Sequence, residues 1–416
     1  MLGNKHFDSH KDNVNKMSRR PQGGGGSGWG GGGGGGGGFH GGQMGPGPSN
    51  SWRPGRDGGG GGGRGNYNAG GGHPQGNQHD AIFKEKEKAM QGVVSDPKFA
   101  DCSYVNVSPQ QPLPHVTMLA FSPKSGKQSQ GHTLALAGSD GMVRSYDVAR
   151  ISGGSQGGVG AGGDVITANA GGVESIAWEV GDASGRMVTT GHDGKVAYFD
   201  PRGGRGDKVK VGGVGLSLAV GGGGVACGTE DDEVWHIDRR TMKPVKLGLD
   251  GSEDKISTLA YSPKGDHLFV GGGEPGGRGT VKLFDVKEKY TLVHSLVAHT
   301  GNVYGVAFSP DSKWMGTGGG DALVGIWDLK ELACVRTVGR LNCLVRSLSF
   351  STDSKYVSSC GDDSLIDIAE IETGRRVHAV PTGGIGECTA WTSGIMAYST
   401  WRQQGSIASV KLMKIN

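Results

Sequence analysis

The sequence predicts an all-β fold, a seven-bladed β-propeller carried behind a glycine-rich N-terminal arm, and three observations predict it. A unit of three short strands recurs seven times along the chain. Its copies follow one another at roughly 40 to 57 residues, the spacing of a sheet-sized repeat. Glycine supplies 84 of the 416 residues while only 34% are hydrophobic, so the whole length does not form one ordinary core.

The arm spans residues 1–79. From Gln22 to Gly76 about half of the residues are glycine, and Trp29, Phe39, Trp52 and Tyr67 stand singly among them with no apolar period. Such a segment buries too little surface to offset its backbone entropy and is expected to stay disordered. Residues 1–80 hold eight basic and four acidic side chains. Arginine, sparse aromatics and a flexible backbone make Arg53, Arg56 and Arg64 candidates for an auxiliary RNA contact, beside the plainer role of a solvated tether. Residues 80–100 read as a linker. Within it Asp80 to Gly92 has an N-cap aspartate, alternating Lys and Glu and a closing glycine, the marks of a short helix whose thin apolar stripe is Ile82, Phe83 and Met90.

The propeller is expected over residues 101–416. Its copies open with VTMLAFSP at Val116, VESIAWEV at Val173, VGLSLAV at Val214, ISTLAYSP at Ile256, VYGVAFSP at Val303, VRSLSFS at Val345 and IGECTAW at Ile385. Their third strands run from VRSYDV at Val143 to VGIWDL at Val324, LIDIAEI at Leu365 and ASVKLMKI at Ala408. One such sheet has two faces to cover, and a closed ring covers both on every copy. The last copy ends with its third strand, so its missing outer strand is expected from Cys102 to Val107 (CSYVNV). A closed ring is read as leaving no free edge, so that self-association would come through partners.

The fifth copy is the most complete. His299, Thr317, Asp321 and Trp327 stand where WD40 repeats build a buried hydrogen-bond chain from indole through hydroxyl and imidazole to a turn carboxylate. A histidine, a hydroxyl and an aspartate also suggest a hydrolase triad, but no nucleophile elbow surrounds Thr317. Two phosphate-loop lookalikes fail on context. GVGAGG from Gly158 has no strand before it and no helix after it, and GHDGK at Gly191 lacks the hydroxyl residue that would hold magnesium. The six cysteines form no C-x-x-C pair and are expected to be free thiols. No apolar segment resembles a secretion signal or a membrane span, and a net charge of +3 gives no global basic field. The expectation is therefore a soluble intracellular protein that is not an enzyme and takes no cofactor, metal or small-molecule substrate.

From about Val225 to Val380 the chain resembles the WD40 subunits of the THO complex. The runs that carry the resemblance are ACGTEDDEVWHID (Ala226 to Asp238), GGGDALVGIWDLKELACVRTVGRL (Gly318 to Leu341) and VRSLSFSTDSKYVSSCGDDSLIDIAEIETG (Val345 to Gly374). The resemblance implies a nuclear, non-catalytic scaffold of the THO/TREX assembly, which couples transcription to mRNA processing and export. It also implies as partners the helical THO subunits and the helicase and adaptor proteins of TREX, with mRNA met indirectly or through the arm. For the partner-binding face the residues just after the opening Val or Ile are selected, namely Glu174, Ser257, Tyr304 and Arg346, flanked by Trp314, Arg336 and Arg340. A second reading is a substrate receptor of a cullin-type ubiquitin ligase. Its sign is Asp-x-Arg closing consecutive copies, as in Asp200-Pro201-Arg202 and Asp238-Arg239-Arg240.

Overall fold

The computed structural model describes residues 96–107, 113–123, 132–152, 164–179, 186–200, 206–221, 223–249, 254–273, 277–402 and 407–415. The arm with Arg53, Arg56 and Arg64, and the helix expected at Asp80 to Gly92, lie outside the described residues.

The described residues form a propeller of seven four-stranded antiparallel sheets. Blade 1 runs Val116–Phe121, Thr133–Gly138, Met142–Asp147 and Val165–Thr167, and blade 2 runs Val173–Trp178, Met187–Gly191, Lys195–Phe199 and Lys208–Lys210. Blade 3 runs Gly215–Gly221, Gly224–Thr229, Val234–Asp238 and Pro244–Leu247; blade 4 runs Lys255–Tyr261, His267–Gly273, Gly279–Asp285 and Thr291–His299. Blade 5 comprises Val303–Phe308, Trp314–Gly319, Val324–Asp328 and Ala333–Val338; blade 6 comprises Val345–Phe350, Tyr356–Gly361, Leu365–Glu370 and Arg376–Pro381. Blade 7 takes three strands from the C-terminal end, Ile385–Thr392, Ile395–Arg402 and Ile407–Lys414, and its fourth from Ser103–Asn106. That closing strand pairs antiparallel with the last one, Tyr104 opposite Met413 and Val105 opposite Leu412.

Each blade thus has an outer strand beyond the three that the repeat displays. In blades 1 and 2 it is three residues long, too short to show alternation. A five-residue helix, Val148–Ser152, follows the third strand of blade 1.

The buried apolar side chains among the described residues gather into seven clusters, one in each gap between neighbouring blades. Ala135, Ala137 and Val143 of blade 1 meet Val173, Ile176 and Phe199 of blade 2. At the last gap Cys388, Val410 and Leu412 of blade 7 meet Val116, Leu119 and Leu134 of blade 1. A blade has no core of its own, and the sheet is held by what its neighbours cover.

Every innermost strand carries a β-bulge at its second or third residue, with the register slipping between Val116 and Met118, Val173 and Ser175, Val303 and Gly305, and likewise in the other four blades. The bulge pushes backbone against the facing strand, and in blades 1, 2, 4, 5 and 6 glycine fills the facing position. A Cβ on Gly272 would stand 1.6 Å from the Lys255 carbonyl oxygen, and one on Gly361 1.8 Å from that of Leu344. Part of the chain's glycine content is therefore built into the blades.

The residues before the closing strand act as a strap across blade 6, which the sequence did not disclose. The Asp96 N–H donates to the Val377 carbonyl at 3.2 Å, and a 3-10 turn, Pro97–Phe99, buries Phe99 to 1% exposure. Phe99 meets Tyr356 edge-on at 5.1 Å and stacks on His378 at 5.5 Å. Lys98 pairs with Asp353 at 2.8 Å, and the Tyr104 hydroxyl lies 3.1 Å from His378 Nε2. Burial lowers the pKa of His378 from its ordinary value, which favours the neutral ring that stacks there.

The expectation of a ring without free edges needs correction. Closure removes a first and a last blade, but it supplies a strand only to blade 7. The outer strands of blades 1 to 6 pair with no further strand among the described residues.

Candidate protein-binding face

The seven bulges decide which side chains stand around the mouth of the ring. A bulge leaves one residue unpaired and turns it out of the sheet. The residues so placed are Thr117, Glu174, Leu216, Ser257, Tyr304, Arg346 and Glu387. Four of them are the residues selected from the sequence after the opening Val or Ile. Thr117, Leu216 and Glu387 were missed. In blades 3 and 7 the bulge falls one residue later than in the other copies, between Gly215 and Ser217 and between Gly386 and Cys388, so the Val214 and Ile385 alignments point at the wrong neighbour.

Their surroundings differ around the ring. Tyr304 is 37% exposed and lies over the Gly320 turn. Arg346 grips Asp362 through two contacts, Nε to Oδ1 and, at 3.2 Å, Nη2 to Oδ2. Burial works against its charge, but Asp362 and Glu387 more than offset it and raise the Arg346 pKa, so the guanidinium stays cationic. Glu174 pairs with His192, and Glu387 with His115 at 3.1 Å. The Thr117 hydroxyl instead donates to the Val173 carbonyl at 2.7 Å and ties blade 1 to blade 2. Ser257 is half-buried. An exposed tyrosine next to a paired arginine, bounded by acids, is suited to a polypeptide surface carrying apolar and basic groups.

The three flanking residues do not join this face. Trp314 opens the second strand of blade 5 opposite Asp328, while Val303 pairs with Gly319 at the strand's far end, so Trp314 stands at the other end of the blade from Tyr304. Arg336 lies on the outer strand, where its Nε donates to the Glu372 carbonyl at 2.9 Å and its Nη1 to the Val335 carbonyl. Arg340 is part of a clamp between blades 5 and 6. It donates to both oxygens of Asp367 at 2.8 to 3.1 Å and to the Gly374 carbonyl, while Arg376 approaches Asp367 from its own sheet. Asp367 is 1% exposed, and its two arginines neutralise it inside the gap.

Between blades 4 and 5, His299 Nδ1 at the end of the blade 4 outer strand lies 2.9 Å from Asp321 and Nε2 lies 2.8 Å from the Thr317 hydroxyl, to which the Trp327 indole N–H donates at 2.9 Å. Asp321 also accepts from the Thr300 N–H at 2.9 Å. Burial would raise its carboxyl, but the Thr300 N–H and His299 pull it below the usual carboxylate range. The hydroxyl is occupied from two sides, which suits a structural role and not a nucleophile. Blade 2 holds a variant of the same device. The Asn169 amide donates to Asp193 at 2.7 Å and its oxygen accepts from the Thr189 hydroxyl at 2.7 Å. Its signal in the sequence is the likeness of ITANAGG to LVAHTGN, with asparagine in place of histidine.

At the opposite ends of the blades the Asp238 carboxylate accepts from the N–H groups of Arg240 and Thr241 at 3.0 and 2.8 Å, leaving the Arg240 side chain exposed. Arg202 of the other Asp-x-Arg box lies outside the described residues. All six cysteines are free thiols.

Comparison with known proteins agrees with this architecture. The "WD domain, G-beta repeat" family model matches residues 242–285, 290–328 and 332–368. The first match begins just before the outer strand of blade 3 and ends on the third strand of blade 4, so the sequence repeat is offset by one strand from the blade; the same offset leaves blade 7 to be completed by Ser103–Asn106. THO complex subunit 3 of Arabidopsis thaliana is 29% identical over 232 residues, which are 55% of this chain and 71% of that protein. GATOR2 complex protein WDR24 of Danio rerio is 28% identical over 26% of this chain and 14% of its own length. Cell division cycle 20.5, cofactor of APC complex, of Arabidopsis thaliana is 29% identical over 29% of this chain and 24% of its own length. This chain carries WD40 repeats in a seven-bladed propeller, and over 55% of its length it is similar to THO complex subunit 3 of Arabidopsis thaliana.

Proposed function

We propose that the chain is a non-catalytic scaffold subunit of a THO/TREX-type assembly in the nucleus, linking transcription to mRNA processing and export. The observation that carries this reading is the similarity to THO complex subunit 3, which spans more than half of the chain. The ring of bulge residues supports it physically. Seven side chains are presented from a closed frame, so a partner meets groups that lose little freedom on binding. Tyr304 and Arg346 are the residue types that most often anchor protein interfaces, and they stand on adjacent blades. The partners in this reading are the large helical subunits of the assembly, with the helicase and adaptor recruited through them.

Affinity purification of the full chain from nuclear extract, read by quantitative mass spectrometry, tests the proposal. Helical THO subunits are expected as the main recovered proteins. Tyr304→Ala combined with Arg346→Ala is expected to reduce their recovery at least fivefold, with the thermal midpoint unchanged because both side chains stand at the surface. The exposed Arg240 beside Asp238 favours the second reading, a ligase substrate receptor. A cullin adaptor as the dominant partner, lost on Arg240→Ala, would replace the first reading with the second.

A further inference from the structure

The outer edge of blade 4 repeats the pattern that the strap covers on blade 6, and among the described residues it is bare. In blade 6 the outer strand bulges between the partners of Ile368 and Ala369, which places Val377 at the bulge and His378 after it. In blade 4 the corresponding slip lies between Leu283 and Phe284, which places Val293 at the bulge and His294 after it. The two valine-histidine pairs are structural equivalents, but Val377 is 1% exposed under the strap and Val293 is 52% exposed. His294 is also exposed, and Leu292 and Val297 on the same strand are 41% and 56% exposed. The nine residues Thr291–His299 include no Lys, Arg, Asp, Glu or Pro. Nothing in this strand's composition guards the edge, whereas blade 3 has Pro244 and Lys246 on its outer strand. Blade 5 has the same bulge at Val335, but Arg336 folds back onto that carbonyl.

One difference between the two edges specifies the occupant. Asp353, which holds Lys98 of the strap, sits in the turn between the first two strands of blade 6. The same turn position in blade 4 is Lys264, matched by the positive-φ residue that follows each, Ser354 and Gly265. Lys264 is exposed and makes no ion pair among the described residues. The charge to be met is thus reversed. We propose that the blade 4 edge is a docking site for a short segment of a partner protein that carries an acidic residue followed by an aromatic one. The aromatic ring stacks on His294 against Val293 as Phe99 stacks on His378, a backbone N–H is donated at Val293 as Asp96 donates at Val377, and the acid pairs with Lys264. This site is separate from the mouth of the ring and does not depend on the identity of the assembly.

Methyl and histidine-ring NMR of the full chain tests it with two synthetic peptides, one with the sequence of residues 96–100 and one with its Lys98→Glu form. The expected result is saturable shifts at the Val293 methyls and His294. The Lys98→Glu peptide should bind at least fivefold more tightly than the unmodified one, Lys264→Glu in the protein should reverse that order, and Phe99→Ala in the peptide should abolish the shifts. Absence of shifts at blade 4, equal affinities of the two peptides, or shifts confined to Val377 and Val380 would overturn the proposal. So would a change at Val293 on removing residues 1–95, which would make the chain's own arm the occupant, or a dimer in sedimentation that Val293→Glu dissolves, which would make it a second copy.

Discussion

Phe99→Ala is expected to destabilise the propeller by about 3 to 5 kcal/mol, the range for truncating a fully buried phenylalanine, although residue 99 lies outside every repeat. Phe99 is the apolar centre of the strap, set between Tyr356 and His378 and joined to the buried cluster between blades 6 and 7. Its loss leaves a cavity that backbone bonds to blade 6 cannot fill, and it loosens the approach to the closing strand. Tyr104→Phe, which removes only the partly exposed hydroxyl facing His378, is expected to cost about 1 kcal/mol or less. Chemical denaturation of the two variants checks the ratio. Equal effects would mean that the strap only decorates the ring.

The second large effect is expected at Asp367. Its carboxylate is buried between the Arg340 and Arg376 guanidinium groups, and Asp367→Ala leaves two cations facing each other with no anion between blades 5 and 6. Removing one partner of such a buried set costs about 3 to 5 kcal/mol. Asp367→Asn, which keeps the shape and loses the charge, should fall between the alanine variant and wild type. The Arg346–Asp362 pair makes the control. Its side chains are 43% and 30% exposed, and Asp362→Ala is expected to cost about 1 kcal/mol or less. Urea denaturation at neutral pH reads all three. A small loss for Asp367→Ala would show that water enters the gap.

Much of the ring was legible in the sequence because a repeat constrained by two neighbours cannot vary freely. The inner three strands of each blade alternate or run apolar, and the turn aspartates recur, so the seven openings from Val116 to Ile385 each mark an inner strand. CSYVNV was legible by subtraction, since a ring with one strand missing must find it elsewhere in the chain. The outer strands were not, because Val165–Thr167 and Lys208–Lys210 are too short for a period. Four mouth residues were legible where the bulge follows the opening residue directly, though Thr117 was overlooked there, and Leu216 and Glu387 were lost where the bulge falls one residue later. Trp314 and Arg340 looked like flanks of Tyr304 only along the chain. The antiparallel turn carries Trp314 to the other end of the blade, and Arg340 reaches across a gap to an aspartate 27 residues on. Linear spacing does not reveal contacts between sheets, which is also why the strap over blade 6 and the bare edge of blade 4 emerge only in three dimensions.

A closed ring is the frame on which both proposed docking surfaces depend, and amide hydrogen exchange across its closing seam tests it most directly. The account predicts that Ser103–Asn106, whose strand partner is the last strand of blade 7, and the amides of Lys411–Lys414 that face it exchange as slowly as the central strands of blades 4 and 5. Exchange of these two segments within seconds while blades 4 and 5 stay protected would show an open arc in place of a ring, and would contradict it.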